Sequence, residues 1–105
     1  MALGVGLAAA PTAVAGAQVG CSVSVRNADT GYAKINRTHT LRTGPYSTCT
    51  KDAVVLNGEK FWLWCWVVND HGNRWAYGRI DGTNHVGWTS IENFGYYETN
   101  KWPSC

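Results

Sequence analysis

The sequence predicts an all-β fold, made of short antiparallel strands joined by tight turns. The main observation is the stretch from Phe61 to Trp88, where two strand-like runs flank a loop rich in Asn, Asp and Gly, and a third short run follows. Five of the six tryptophans lie in this stretch. No amphipathic helical pattern of useful length occurs elsewhere in the chain. These observations predict a β-meander at the centre of the fold.

The length and charge of the chain limit its possible partners. Its 105 residues suffice for one domain, and the formal net charge is only +2. The lysines and arginines are scattered singly, whereas a nucleic-acid-binding protein normally carries a clustered basic face. We therefore expect no nucleic-acid partner, and a monomer is the default state.

Residues 1–17 are apolar, rich in small residues and end in an Ala-x-Ala site. This pattern is typical of a secretory signal peptide, here a remnant cleaved after Ala17. A transmembrane anchor is the alternative, but the segment is shorter than the roughly 20 apolar residues that span a bilayer, and Gly and Pro interrupt it. We expect a secreted protein, extracellular or cell-wall associated, with no membrane segment in its mature form.

Four cysteines in a short exported chain predict two disulfides, and three pairings are possible. The expected pairing joins Cys49, just before one predicted strand, to Cys65 in the middle of the next. Cys21 and Cys105 would then tie the two ends of the chain together. The chain has no Cys-x-x-Cys pair and no histidine at ligand spacing, so we expect neither a metal site nor a cofactor.

The remaining strands are predicted from short apolar or alternating runs bounded by turn residues. In chain order the runs are 21–26, 32–35, 39–43 (leading into Gly44-Pro45), 53–56, 61–68, 74–80 and 86–89, with a 3₁₀ turn at 90–93. In the central strand, strict alternation places one set of side chains in the core: Phe61, Leu63, Cys65 and Val67. The opposite face would carry Trp62, Trp64, Trp66 and Val68, either covered by the N-terminal segment or partly exposed.

Several motifs in this order resemble those of a known family. They are Leu41-Arg42-Thr43-Gly44-Pro45, Asn57-Gly58-Glu59-Lys60, Trp75, and Val86-Gly87-Trp88 with Phe94. The chain thereby resembles bacterial SH3-like (SH3b, SH3 type 3) domains, and more closely the small secreted SH3 proteins of Gram-positive filamentous bacteria, in which cysteines matching Cys49 and Cys65 recur. The resemblance covers about Thr38 to Phe94 and departs at Gly78, where the family usually has a bulky aliphatic residue.

The resemblance implies a small SH3-like barrel of five or six short antiparallel strands, cross-linked by disulfides. Together with the signal-peptide pattern, it divides the chain into a signal-peptide remnant (1–17), an N-terminal strand and loop extension (18–37), and an SH3b-like barrel with a C-terminal tail (38–105). It also implies a non-catalytic module associated with cell-wall peptide or glycan.

The sequence itself indicates no set of nucleophile, base and orienting group that catalysis would need. Oxidised cysteines cannot supply a thiolate, the three histidines are isolated from one another in sequence, and most acids fall at predicted turns. We therefore expect no enzyme.

The thirteen aromatic residues suggest two alternatives. The rings could fill a small barrel, or some could form a surface groove that binds peptides or sugars. The candidate groove residues are Tyr46, Trp62, Trp64, Trp75, Tyr77 and Trp88. The function expected from these data is a secreted binding module for cell-wall peptidoglycan or its peptides. The alternative is a secreted interaction or inhibitor protein that acts on a protein partner.

Overall fold

The computed structural model describes residues 20–26, 28–99 and 101–105, so the predicted signal peptide lies outside the described residues. The described part contains seven strands and one 3₁₀ turn, and no α-helix. The strands are β1 (Gly31–Ile35), β2 (His39–Arg42), β3 (Lys51–Val55), β4 (Lys60–Val68), β5 (Arg74–Ile80), β6 (Val86–Ser90) and β7 (Phe94–Thr99), and the 3₁₀ turn is Ile91–Asn93. No helix in these ranges is long and apolar enough to cross a membrane.

The strands form one antiparallel sheet in the order β3-β2-β6-β5-β4-β1-β7. The meander β4-β5-β6 lies at its centre, as the sequence predicts. The all-β prediction is confirmed, with seven strands instead of five or six. Within the described residues no ladder joins the edge strands β3 and β7, so the sheet is open and not a closed barrel. Strand β1, from the predicted N-terminal extension, lies inside the sheet between β4 and β7.

A β-bulge at Trp64 exchanges the faces to which the later side chains of β4 point. Leu63 pairs with Gly78 and Cys65 pairs with Tyr77, so Trp64 is an extra residue without a direct partner on β5. Paired residues of an antiparallel ladder point to the same face. Cys65 therefore shares a face with Tyr77, opposite to the face of Leu63. The predicted strict alternation is wrong beyond Leu63 for this reason.

The two faces of the sheet carry separate hydrophobic clusters. The inner cluster consists of Ala33, Ile35, Leu41, Val55, Phe61, Leu63, Ala76 and Ile80. The outer cluster consists of Trp64, Cys65, Trp75, Tyr77 and Trp88. Removal of this apolar surface from water is the main force that stabilises the sheet.

The segment of residues 20–26 and 28–30, here named the strap, lies over the outer cluster. Val23 and Val25 pack against the cluster, and the Val23 amide donates to the Thr43 carbonyl at 3.0 Å. The prediction of a strand from Cys21 to Arg26 is wrong, because no β-ladder includes these residues. Of the two alternatives for the predicted tryptophan face, the covered one holds for Trp64, which is buried.

The disulfides join Cys21 to Cys49 and Cys65 to Cys105, so the expected pairing is wrong. Cys49 lies beside the strap, which brings Cys21 within reach. The C-terminal tail runs beside Trp66, whose amide donates to the Pro103 carbonyl at 3.1 Å, and this brings Cys105 to Cys65. Each disulfide thus fastens one terminal segment to the sheet.

The two disulfides have a thermodynamic and a cellular consequence. Their sequence separations of 28 and 40 correspond to roughly 3 to 4 kcal/mol each in the chain-entropy model. No free cysteine occurs in the described residues. Disulfides of this kind indicate an oxidising, non-cytoplasmic environment.

Candidate binding pocket

A pocket with a volume of about 360 Å³ opens where three connecting segments meet at one end of the sheet. One wall comes from the loop between β2 and β3, the second from the hairpin loop between β4 and β5, and the third from Ser90 and the 3₁₀ turn. The lining residues are His39, Thr40, Arg42, Tyr46, Ser47, Thr48, Asn69, His71, Asn73, Trp75, Thr89, Ser90, Glu92 and Asn93. Loops carried on a rigid sheet are the usual location of binding sites.

Asn69 joins two of these walls. Its side chain is buried, and its Nδ2 donates to the Pro45 carbonyl at 2.7 Å. Its Oδ1 accepts from the amides of His71 at 3.0 Å and Asn73 at 3.1 Å. Because one side chain satisfies groups of both loops, the distance between the two walls is fixed before any ligand arrives.

The third wall is held by a hydrogen-bonded chain through Thr89, which is also buried. His39 Nδ1 lies 2.8 Å from the Arg37 carbonyl oxygen, which can only accept, so this nitrogen carries the proton of the neutral ring. His39 Nε2 then accepts from the Thr89 hydroxyl, 2.7 Å away. Asn93 Nδ2 donates to the same Thr89 oxygen at 3.1 Å.

Burial lowers the pKa of His39 below its ordinary value of 6.5, although the hydrogen bond to the Arg37 carbonyl opposes this shift. Arg37 and Arg42 lower the pKa further through charge repulsion. The ring is therefore neutral at pH 7. The chain from Asn93 through Thr89 to His39 thus keeps fixed donor and acceptor roles in this wall.

Aromatic rings and two opposite charges complete the pocket. Trp75 is buried and Tyr46 is half-buried, with the Tyr46 ring 5.7 Å from the His71 ring in an edge-to-face arrangement. Arg42 Nη1 donates to the Cys49 carbonyl at 3.2 Å, which holds a positive charge on one side, and the exposed Glu92 lies on another wall. The pocket can therefore offer apolar contact, neutral hydrogen bonds and one charge of each sign.

The six predicted groove residues do not form a single groove. Tyr46 and Trp75 line the pocket, and Trp62 lies elsewhere on the outer face, half-buried. The other three are buried in the outer cluster, where the Tyr77 ring lies 5.5 Å from Trp64 and 5.0 Å from Trp88. Burial also raises the pKa of Tyr77, with Asp52 adding to the shift.

Sequence patterns did not indicate the polar residues that shape the pocket. Asn69 belongs to a loop rich in Asn, Asp and Gly, and turn chemistry alone explains such a composition. His39 meets Thr89 across 50 residues of sequence. No local pattern signals a contact at that separation, so these residues could not be found without the fold.

The pocket lacks a recognisable catalytic arrangement. Thr89 and His39 resemble a nucleophile and its base, but the Thr89 hydroxyl is buried and the group behind His39 is a carbonyl, not a carboxylate. No group of three or more His, Cys, Asp or Glu residues could hold a metal ion among the described side chains.

Comparison with known proteins adds no assignment: no family model, no curated protein and no solved structure matches the chain. Function is therefore inferred from the pocket and from the chain's own residues.

Proposed function

We propose that the protein is a secreted, non-catalytic binding module whose pocket takes a cell-wall peptide, with peptidoglycan as its target. The observation that carries this proposal is the pocket itself, whose three walls are connected by Asn69 and by the hydrogen-bonded chain through Thr89. A pocket organised before binding loses less entropy when a ligand is ordered in it. The resemblance of the chain's motifs to SH3b domains supports the same function.

The chemistry of the lining suits a short peptide. Amide and hydroxyl groups from Asn73, Ser47 and Thr48 can exchange hydrogen bonds with peptide groups. Arg42 can pair with a carboxylate and Glu92 with an ammonium group, both of which occur in peptides. The rings of Tyr46 and Trp75 supply the apolar contact that a binding pocket needs.

A second candidate function is interaction with a protein, as an inhibitor or a partner. Strand β3 is an edge of the sheet, and its Val54 side chain is 60% exposed, with the exposed Leu56 close behind it. An unpaired edge can accept a strand from another protein. This candidate places the contact on the β3 edge and not in the pocket.

Retention on purified, protein-free peptidoglycan tests the first proposal. The parent protein should be retained above a denatured control. Tyr46→Ala should weaken retention roughly fivefold to thirtyfold, the range for loss of a central aromatic contact. Tyr97→Ala is the matched control, since Tyr97 is a surface tyrosine outside the pocket and its loss should leave retention unchanged.

Other results would contradict binding of the wall by the pocket or would support the second candidate function. No retention of the parent, or equal retention of Tyr46→Ala, would show that the pocket does not bind the wall. Capture of one discrete protein, lost in Val54→Lys and kept in Tyr46→Ala, would instead support interaction through the β3 edge. Near-ultraviolet circular dichroism should first establish that each variant retains the parent's tertiary packing.

A further inference from the structure

Three aromatic side chains stand in a row on the outer face of the sheet, away from the pocket. They are Trp62 on β4, Tyr32 on β1 and Tyr96 on β7, here named the aromatic row. Tyr32 pairs directly with Trp62 and with Glu98, and Tyr96 precedes Glu98 by two residues, so all three rings share one face. The ring centroid of Tyr32 lies 5.8 Å from that of Trp62 and 6.4 Å from that of Tyr96.

The polar atoms of the row are fixed by carboxylates. Glu98 Oε1 accepts from the hydroxyls of Tyr32 at 2.9 Å and Tyr96 at 3.1 Å. Trp62 Nε1 donates to Asp81 Oδ1 at 2.9 Å. The bond to Glu98 raises the pKa of Tyr32 to about 12, so its hydroxyl stays protonated. The rings are thus held in place from their edges, and Tyr96 remains 53% exposed.

The charges around the row balance. Lys60 Nζ lies 4.5 Å from the Tyr32 ring centroid and 5.3 Å from that of Trp62, and Lys34 Nζ donates to the Gly58 carbonyl at 3.1 Å. These two ammonium groups match the carboxylates of Glu98 and Asp81, and Arg79, directly opposite Trp62, is paired with Asp29 at 3.0 Å. A surface without net charge does not attract a nucleic acid or another strongly charged polymer by long-range electrostatics.

The backbone under Tyr32, in the middle of the row, is not available for pairing. Strand β1 is hydrogen-bonded to β4 on one side and to β7 on the other. An added peptide strand therefore cannot pair with the middle of the row. Recognition there must use side chains, namely ring surfaces with carboxylate and ammonium groups beside them.

We propose that the aromatic row is a second binding surface, which takes a neutral, extended glycan of equatorially linked sugars. The apolar C–H faces of the sugars pack on the rings, as amphipathic aromatic side chains favour. Sugar hydroxyls donate to Glu98 and Asp81. The Lys60 ammonium group moves off the faces of the Tyr32 and Trp62 rings and donates to other sugar hydroxyls. This surface is separate from the pocket and does not require the pocket to bind.

Titration of the ¹⁵N-labelled protein with soluble chito-oligosaccharide, and separately with cello-oligosaccharide, tests the proposal by NMR. At least one of these neutral glycans should shift the Trp62 indole signal and the amides of Tyr32 and Tyr96. Tyr96→Ala should weaken that binding roughly threefold to tenfold, the value of one aromatic contact. Tyr96→Phe, which keeps the ring, should bind within about twofold of the parent.

Tyr97→Ala is the control, because Tyr97 is 50% exposed on the same strand and points to the opposite face. It should leave glycan binding unchanged. Tyr46→Ala should also leave it unchanged, which separates this surface from the pocket.

Three results would overturn the proposal. The first is the absence of shifts in the row with both glycans at millimolar concentration. The second is a set of shifts confined to pocket residues such as His39 and Thr89, which would place the sugar in the pocket. The third is a set of row shifts that follow protein concentration without glycan, which would identify a second copy of the chain as the occupant.

Discussion

The indole nitrogen of Trp88 donates a hydrogen bond to the Val23 carbonyl at 2.8 Å, across 65 residues of sequence. Trp88 lies on β6 in the centre of the sheet and has no exposed surface. Val23 lies in the strap, whose own backbone makes no β-ladder. Side chains of the outer cluster therefore help to position the strap, with Trp64 adding a bond from its Nε1 to Asp29 Oδ1 at 2.6 Å.

Replacement of Trp88 by Phe should lower the free energy of unfolding by about 2 to 4 kcal/mol. The variant loses the hydrogen bond, leaves the Val23 carbonyl without its indole donor, and creates a void in a fully buried site. Urea denaturation measures the change. Trp62→Phe is the control, because this half-exposed residue should lose less than about 1 kcal/mol. Equal losses in both variants would show that the bond between Trp88 and Val23 does not hold the strap.

Removal of the Cys21–Cys49 disulfide in a Cys21→Ser/Cys49→Ser variant should release the strap. We expect a loss of roughly 3 to 4 kcal/mol in unfolding free energy, because the unfolded chain without this cross-link has more conformational entropy. In the folded variant, the indole signals of Trp64 and Trp88 should move and exchange faster with solvent, since both indoles donate to the strap.

Cys65→Ser/Cys105→Ser is the matched control for that experiment. It should cost a similar free energy but change the Trp66 indole instead, because Trp66 Nε1 donates to the Trp102 carbonyl in the C-terminal tail. The same indole signals changing in both variants would contradict separate roles for the two disulfides.

The sequence predicted local features of the fold better than the relations between distant residues. Gly58 adopts a φ of +91°, as turn chemistry indicates, but the predicted hairpin at Asn57-Gly58 is wrong, because β3 and β4 do not pair with each other. The 3₁₀ turn starts after Ser90, as predicted. The bulge at Trp64 has no local sequence signal, because it depends on packing between β4 and β5. That bulge turns Cys65 to the outer face, which explains the error in the predicted alternation.

In the candidate pocket, too, local features could be predicted from the sequence and contacts between distant residues could not. Tyr46 and Trp75 could be selected from the sequence as aromatic residues near turns. The contacts of Asn69 with Pro45 and of Thr89 with His39 arise only when distant loops meet. Long-range polar networks of this kind follow from the fold and not from the residue pattern.

Gly78 differs from the bulky residue expected by family resemblance, and packing explains the difference. A Cβ atom at this position would collide with the Trp62 carbonyl oxygen and would lie 2.8 Å from the Phe61 ring. Because a backbone oxygen in a paired strand cannot move aside, Gly78→Ala should lower the unfolding free energy by about 2 kcal/mol or more. Chemical denaturation checks this value.

Gly95→Ala is the control for this substitution. Gly95 is exposed on edge strand β7, and its nearest neighbour would be Asn36 Cβ at 3.2 Å. This change should cost less than about 1 kcal/mol. A Gly78→Ala variant as stable as the parent would show that β4 and β5 can separate at the bulge without cost.

Protonation of His39 should make the protein less stable in acid. Its pKa in the folded state lies below 6.5, so the unfolded chain binds more protons as the pH falls. The His39 contribution is therefore fully present above about pH 6.5, where both states are neutral, and declines as the pH falls towards the folded-state pKa. Charging the ring also removes the acceptor at Nε2 and breaks the bond from Thr89.

His39→Gln should reduce this acid sensitivity, because glutamine does not titrate. Its unfolding free energy should be lower than the parent's at pH 7, by about 1 kcal/mol for the lost hydrogen bonds, and the difference should narrow by pH 5. Urea denaturation at both pH values measures the narrowing. A constant difference between His39→Gln and the parent at the two pH values would mean that the acid sensitivity arises from other groups.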